Sequence, residues 1–141
     1  MPVLARAHVV GVWSAVTAPG WLEDSRWRAL LAEGGVGPLR LQEAEAAART
    51  ARRVLRILSF TPGGYWRYTC LYRSVAECRA LRHFGLQAIL RIGAAQAGAA
   101  GVLAHAWVVR PGVTEEPTLN GRPLHVLGAE GGAHPRRKRQ P

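Results

Sequence analysis

Two short stretches decide the fold: CLYRS at residues 70–74 and AHAWV at residues 104–108. The first follows Thr69, a residue type that favours a helix N-cap, so the sequence predicts a helix starting at Cys70. The second is predicted to be a strand. A helix N-terminus favours negative charge, and the thiolate is the nucleophilic form of cysteine. With His105 following 35 residues later to exchange the proton, the pair predicts nucleophilic thiol chemistry.

Apolar periodicity and turn residues predict four helices followed by three strands. The helices are expected over residues 4–16, 25–33, 38–58 and 70–84, and the strands over residues 87–92, 102–109 and 118–127. Pro19 and Gly20 should end the first helix, and Gly85 should end the fourth. Loops are expected over 59–69 and 93–101. The order of elements predicts an α+β fold, with helices packed on a short antiparallel sheet.

The chain is strongly basic, with 19 lysine and arginine residues against 9 acidic residues in 141 and a formal charge of +10. Almost all of the basic residues are arginine, since Lys138 is the only lysine. Either compositional bias or attraction to an acidic partner explains the excess of positive charge. Nucleic acid is a poor candidate partner because no stacking or groove-reading motif accompanies the charge. On the third predicted helix, four arginines lie off the apolar stripe, namely Arg49, Arg52, Arg53 and Arg56. They form either a solvated face or a face that binds peptide.

The two cysteines are expected to be free thiols. Cys70 and Cys78 lie about 12 Å apart on one helix by its rise per residue, whereas a disulfide needs Cα atoms within about 7 Å. Free thiols fit a reducing cytosol, so we expect a cytoplasmic protein. The apolar stretch at 9–18 is too short to span a bilayer, which argues against stable membrane insertion. No nucleotide loop or metal-ligand spacing occurs, so no cofactor and no metal are expected.

The two stretches and their surroundings resemble one family, the transglutaminase-like leader peptidases of lasso-peptide biosynthesis. The family pattern is Cys-Leu-x-Arg-Ser-Leu, a helix ending at glycine, a strand ending in Ile-Gly, and Ala-His-Ala-Trp-Val. The matching positions are Cys70, Leu71, Arg73, Ser74, Gly85, Ile92, Gly93, His105, Ala106 and Trp107. Val75 replaces the usual leucine, and the resemblance covers residues 49–109.

The resemblance implies a papain-like, transglutaminase-like cysteine peptidase that removes the leader from a ribosomally made lasso-type precursor. Cys70 would attack the scissile carbonyl and His105 would shuttle the proton. One peptidase domain is expected over residues 1–128, with N-terminal helices over 4–58 and a catalytic core over 59–128, and a disordered basic tail over 129–141. The implied partners are the precursor peptide, a separate leader-binding protein and an ATP-dependent macrolactam cyclase.

The chain departs from the family pattern at the third catalytic position, an aspartate on the strand after the histidine. Its only aspartate is Asp24, far upstream. Asn120 is the leading substitute to orient His105, because an amide can fill this role in papain-like enzymes. Glu115 and Glu116 are alternatives, as is a Cys–His dyad held by a backbone carbonyl.

Two further consequences follow from this departure. If residues 120–121 correspond to the family's Asp-Gly turn, then His125 or Val126 lies near the orienting position. Because the carboxylate is missing, a second interpretation stays open: a non-catalytic protein of the same fold that binds precursor peptide.

Three other residues of the motif have supporting roles in this interpretation. Arg73 and Ser74 are expected to support the site rather than take part in chemistry. Trp107 lies two residues after the histidine, so the two side chains should share one face of the strand. It would either pack in the core or shield the Cys–His pair from water.

Overall fold

Three helices precede a small antiparallel sheet. The computed structural model describes residues 2–32, 34–35, 39–60, 70–96, 101–111, 118–119 and 122–127. The elements, in chain order, are α1 (Val3–Glu23), a 3₁₀ helix (Arg26–Leu30), α2 (Leu41–Ser59), α3 (Cys70–His83), β1 (Ile89–Gln96), β2 (Val102–Val109), β3 (Thr118–Leu119), β4 (Arg122–Pro123) and β5 (His125–Leu127). The predicted α+β fold is confirmed. The expected loop residues 61–69 and the expected tail lie outside the described residues.

The expected end of α1 at residues 18–20 is wrong, because the helix continues through Pro19 to Glu23. The extra turn places Trp21 against the buried guanidinium of Arg79 on α3, at 4.3 Å from the ring centroid. The ring centroid of Trp13, two turns earlier on α1, lies 4.8 Å from the same guanidinium group. Packing between α1 and α3 therefore outweighs the backbone hydrogen bond that a proline inside a helix removes.

The second predicted helix is a short 3₁₀ helix instead of the α-helix expected over 25–33. Ser25 precedes it with a left-handed φ of 58° and makes no capping hydrogen bond through its side chain. The side chain of Arg82 on α3 holds this 3₁₀ helix in place. Its guanidinium group donates to the carbonyl oxygens of Ala29 and Leu30, each at 3.0 Å. A long-range contact of this kind leaves no local sequence signal.

Helix α2 packs closely on α1 through small side chains. Its buried face consists of Ala44, Ala47, Ala48 and Ala51. A Cβ atom added to Gly11 of α1 would lie 3.1 Å from the Cβ atom of Val54, so the helices approach with little space between them.

Helix α3 begins at Cys70 as predicted and ends one residue before the expected Phe84. Gly85 follows with a φ of 83°, and the N–H of Leu86 donates to the carbonyl of Leu81 at 3.1 Å. This is the pattern of a Schellman C-cap, which favours glycine at the left-handed position.

The sheet has the strand order β2-β1-β5, with both pairs antiparallel. The expected loop over 93–101 is wrong in its first part, since β1 extends to Gln96. Gly93 lies in the strand because Trp107 packs across it: an added Cβ would be 2.8 Å from Cη2 of that ring. The third predicted strand, 118–127, is divided into β3 and β4, which pair with each other, and β5.

One hydrophobic cluster joins these elements and fixes α3 against the sheet. It includes Val75, Leu81 and Phe84 of α3, Leu90 of β1 and Ala106 of β2. Among the described residues, no helix combines the length and apolar character needed to cross a membrane.

Candidate active site

Cys70 is the first residue of α3, and its thiol meets the backbone of β2. The N–H group of Ala106 donates a hydrogen bond to Cys70 Sγ at 3.3 Å. The thiol is half-buried. Because Ala106 directly follows His105, this contact brings the helix N-terminus to the strand that carries the histidine.

Ser74, one helical turn after the cysteine, fastens the same point of β2. Its Oγ donates to the carbonyl oxygen of Ala106 at 2.9 Å, and its side chain is buried. In an antiparallel pair of strands, every second residue points its N–H and C=O groups away from the partner strand, toward the free edge. Both backbone groups of Ala106 bind α3, so the cysteine helix covers this edge of β2. This hydrogen bond is consistent with the supporting role expected for Ser74.

A cavity of about 300 Å³ brings the predicted cysteine and histidine together. Its described lining residues come from α3 and β2. They are Cys70, Arg73, Ser74, Glu77, His105, Ala106, Trp107 and Val108. The thiol and the imidazole therefore border the same space, where a peptide bond can reach both.

Trp107 covers one side of the imidazole. The rings of His105 and Trp107 stack with centroids 6.2 Å apart and an interplanar angle of 11°. The prediction that both side chains share one strand face is confirmed. The indole also packs on Gly93 of β1, so it is held from both sides, and its Nε1 is buried without a hydrogen-bond partner among the described residues.

The candidates for the residue that orients His105 are not among the described residues. Asn120, Glu115 and Glu116 lie outside the described residues. The register of β3 and β4 pairs Thr118 with Pro123 and Leu119 with Arg122.

His125 and Val126 do not take the orienting position. They lie on β5, which pairs with β1 on the side away from β2. Val126 and His105 both pair with Gly93, from opposite sides, so the whole of β1 separates them. The expectation that one of them lies near the imidazole is therefore wrong: β5 joins the far edge of the sheet.

The second thiol has a different environment from Cys70. Cys78 is fully buried, and its Sγ donates to the carbonyl oxygen of Ala88 at 3.6 Å. Burial raises the pKa of the Cys78 thiol to about 11, which keeps it protonated at neutral pH. Of the two free cysteines, Cys70 alone lines the cavity beside the histidine.

A second cavity, of about 250 Å³, adjoins the first. It is lined by Arg52, Leu55 and Arg56 of α2 and by Arg73 and Glu77 of α3. The last two residues line both cavities. The sequence indicated a basic face on α2 but gave no sign that this face borders the cysteine. The pairing of α2 with α3 that creates the border is a long-range contact.

Within the described ranges, no group of three or more histidine, cysteine, aspartate or glutamate side chains is placed to hold a metal ion. The chemistry that the arrangement supports is that of a thiol and an imidazole.

Comparison with known proteins places the chain in a family. The family model of the transglutaminase-like superfamily matches residues 10–124, which include α3, β1 and β2. No curated protein and no solved structure gives a significant match to the chain. The fold of this superfamily is typically that of a Cys-His-Asp cysteine peptidase, although the family also has non-catalytic members. With the match covering most of its length, the chain belongs to the transglutaminase-like superfamily.

Proposed function

We propose that this protein is a cysteine peptidase that removes the leader from a ribosomally made lasso-type precursor peptide. The observation that carries the proposal is the shared cavity of Cys70, at the N-terminus of α3, and His105 on β2. The family membership supports thiol chemistry in general. The motif resemblance over residues 49–109 supports the specific substrate.

The reaction follows from these two groups. His105 takes the thiol proton, and the Cys70 thiolate attacks the scissile carbonyl carbon to give a tetrahedral oxyanion. The backbone N–H of Cys70 is the natural donor to that oxyanion. On collapse, the C–N bond breaks, and the amine leaves with the proton from His105. His105 then takes a proton from water, whose oxygen attacks the thioester carbonyl; the C–S bond breaks, the acid is released, and the imidazolium gives that proton to the Cys70 thiolate.

The contact from Ala106 to the sulfur has a role in this scheme. An N–H donor stabilises a thiolate more than a thiol, because hydrogen bonds to charged acceptors are stronger. The same backbone fixes the distance between the helix that carries the nucleophile and the strand that carries the base.

The test is to combine the purified chain with precursor peptide, a leader-binding protein, the ATP-dependent cyclase and ATP in a reducing buffer. We expect the wild-type chain to release the leader and Cys70→Ala to release none. Cys78→Ala is the matched control and should retain cleavage, because its thiol is buried away from the cavity. Mass spectrometry of the products reads out the cleavage. An active, folded Cys70→Ala protein would refute the thiol mechanism.

For the third residue we propose Asn120, whose amide oxygen would accept the ring N–H of His105. Asn120→Ala should then lower kcat/KM by more than about tenfold, equivalent to roughly 1.4 kcal/mol of transition-state stabilisation. Changing Glu115 and Glu116 together to glutamine should have little effect. The reverse pattern would assign the role to the loop carboxylates, and no effect from either change would leave a dyad.

A non-catalytic precursor-binding protein is the second candidate. It is favoured by the absence of an aspartate from the strands, since Asp24 pairs with Arg26 beyond the end of α1. Precursor binding by the wild-type chain without cleavage, in the complete reconstituted system, would make this candidate the better one.

A further inference from the structure

We propose that the second cavity, which adjoins the one lined by Cys70, is a binding site for a carboxylate of the bound peptide, formed by Arg56 of α2 and Arg73 of α3. The proposal rests on the proposed function in that the peptide whose carboxylate is bound is the one presented to Cys70. It adds a substrate preference that the cysteine and histidine alone do not supply.

The charges around this cavity are unbalanced. Among the described residues, three arginines line it, Arg52, Arg56 and Arg73, against one acidic residue, Glu77. Glu77 already pairs with Arg52, with Nε and Oε1 2.7 Å apart. In the part of the chain that the structure describes, the guanidinium groups of Arg56 and Arg73 have no ion-pair partner. Two unpaired cations from two helices therefore border one concave space.

A carboxylate is the ligand that matches this arrangement. The planar guanidinium group binds carboxylates through two parallel N–H donors, and such charge-assisted bonds are stronger than neutral ones. Repulsion between neighbouring guanidinium groups is also relieved when an anion enters between them. Leu55 supplies an apolar wall against which the methylene groups of an acidic side chain can pack.

The position of the cavity fixes where the acid lies in the peptide. Arg73 and Glu77 come one and two turns after Cys70 on α3 and border the cavity of the thiol as well. Seven residues of helix span about 10 Å. An extended peptide advances about 3.3 Å per residue. The bound carboxylate therefore lies within about three residues of the bond that faces Cys70.

The experiment measures protection of Cys70 from alkylation by iodoacetamide, which requires no cleavage. The probes are capped decapeptides that differ only in one residue, glutamate or glutamine, moved along the sequence. A glutamine peptide with a free C-terminal carboxylate distinguishes a terminal acid from a side-chain acid. Buried Cys78 contributes little to the signal.

In the wild-type protein, we expect the best glutamate peptide to protect Cys70 at a concentration at least about tenfold lower than its glutamine counterpart. The double variant Arg56→Gln/Arg73→Gln should lose this difference. Arg53→Gln is the matched control, since Arg53 is exposed on α2 and lines neither cavity. Arg56→Lys/Arg73→Lys, with the charge kept and the forked geometry lost, should retain part of the preference.

Equal protection by acidic and neutral peptides, or no protection by any of them, would overturn the proposal. So would an unchanged preference in a double variant with wild-type circular dichroism. Failure of the proposed function has a different signature, namely no cleavage of precursor while the acidic preference persists. If the free C-terminal carboxylate alone protects, the cavity binds a chain terminus.

Discussion

Ala106 connects the segments of Cys70 and His105 through its backbone. Its N–H binds the thiol of Cys70, its carbonyl binds Ser74, and it directly follows His105. Its methyl group lies in the core, with 4% of the residue exposed. The backbone contacts of this one residue therefore link the start of α3 to the strand that carries the histidine.

At this scale, we expect His105→Ala to lower the rate of leader cleavage by about 10²–10⁴-fold, the usual contribution of a positioned acid–base group. Alkylation of Cys70 by iodoacetamide near pH 7 should also slow, because the Cys70 thiol loses the imidazole that takes its proton. His125→Ala is the control, since His125 is exposed on β5 at the far side of β1. Full cleavage activity in a folded His105→Ala protein would contradict the assignment.

The residues of the site were predictable to different extents. Cys70 and His105 could be predicted because a helix start and a strand carry local signals and because the motif joins them. The ring contact between His105 and Trp107 followed from the two-residue period of a strand. Arg56 could not be placed at the cysteine, because its position depends on how α2 packs against α3.

At the scale of elements, Arg82 joins three separate segments of the chain. Besides the 3₁₀-helix carbonyls, it donates from Nε to the carbonyl oxygen of Ala88, just before β1, at 2.8 Å, and it also binds the carbonyl of Ala32. The 3₁₀ helix, the end of α3 and the start of β1 are therefore held by one guanidinium group. Its fork geometry reaches carbonyls in several directions, which an ammonium group cannot do.

We expect Arg82→Lys to lower the free energy of unfolding by about 3 kcal/mol, because several partly buried carbonyls lose their donors. Guanidinium denaturation followed by tryptophan fluorescence measures the change. Arg53→Lys, on the exposed face of α2, should stay within about 0.5 kcal/mol of wild type. If the two variants were equally stable, the bonds from Arg82 would contribute nothing to the fold.

The elements show where sequence patterns succeed and fail. Helices α2 and α3 and strand β2 were predicted because their apolar periodicity and end signals are local. The continuation of α1 past Pro19 depends on the contact of Trp21 with Arg79, and the extension of β1 depends on Trp107 packing over Gly93. Both contacts join residues more than ten positions apart, which a local pattern does not register.

For the whole molecule, the core depends on small side chains. Most of the buried apolar residues are alanines, and the larger ones are concentrated around the end of α3 and the start of β1. Phe84, Leu81, Leu90, Val75 and Cys78 are the largest fully buried apolar side chains. Cys78 therefore sits where the helical part meets the sheet, and its protonation state affects the stability of that junction.

The stability of the molecule should consequently fall in alkaline solution. Burial raises the pKa of Cys78 from 9.0 to about 11, so between these values the unfolded chain loses a proton that the folded chain keeps. The free energy of unfolding should be unaffected by this group below about pH 9 and decrease as the pH rises to about 11. The limit of the decrease is about 3 kcal/mol, the free energy that corresponds to a pKa difference of about two.

Cys78→Ala isolates this effect, because every other titrating group is common to both proteins. Denaturation under reducing conditions at several values between about pH 8 and pH 11 gives the free energy of unfolding of each. The variant should be less stable than wild type near pH 8, since it leaves a small cavity, and the gap should narrow as the pH rises. Parallel profiles over this range would show that the thiol is not desolvated in the folded state, and that the junction of helices and sheet admits water.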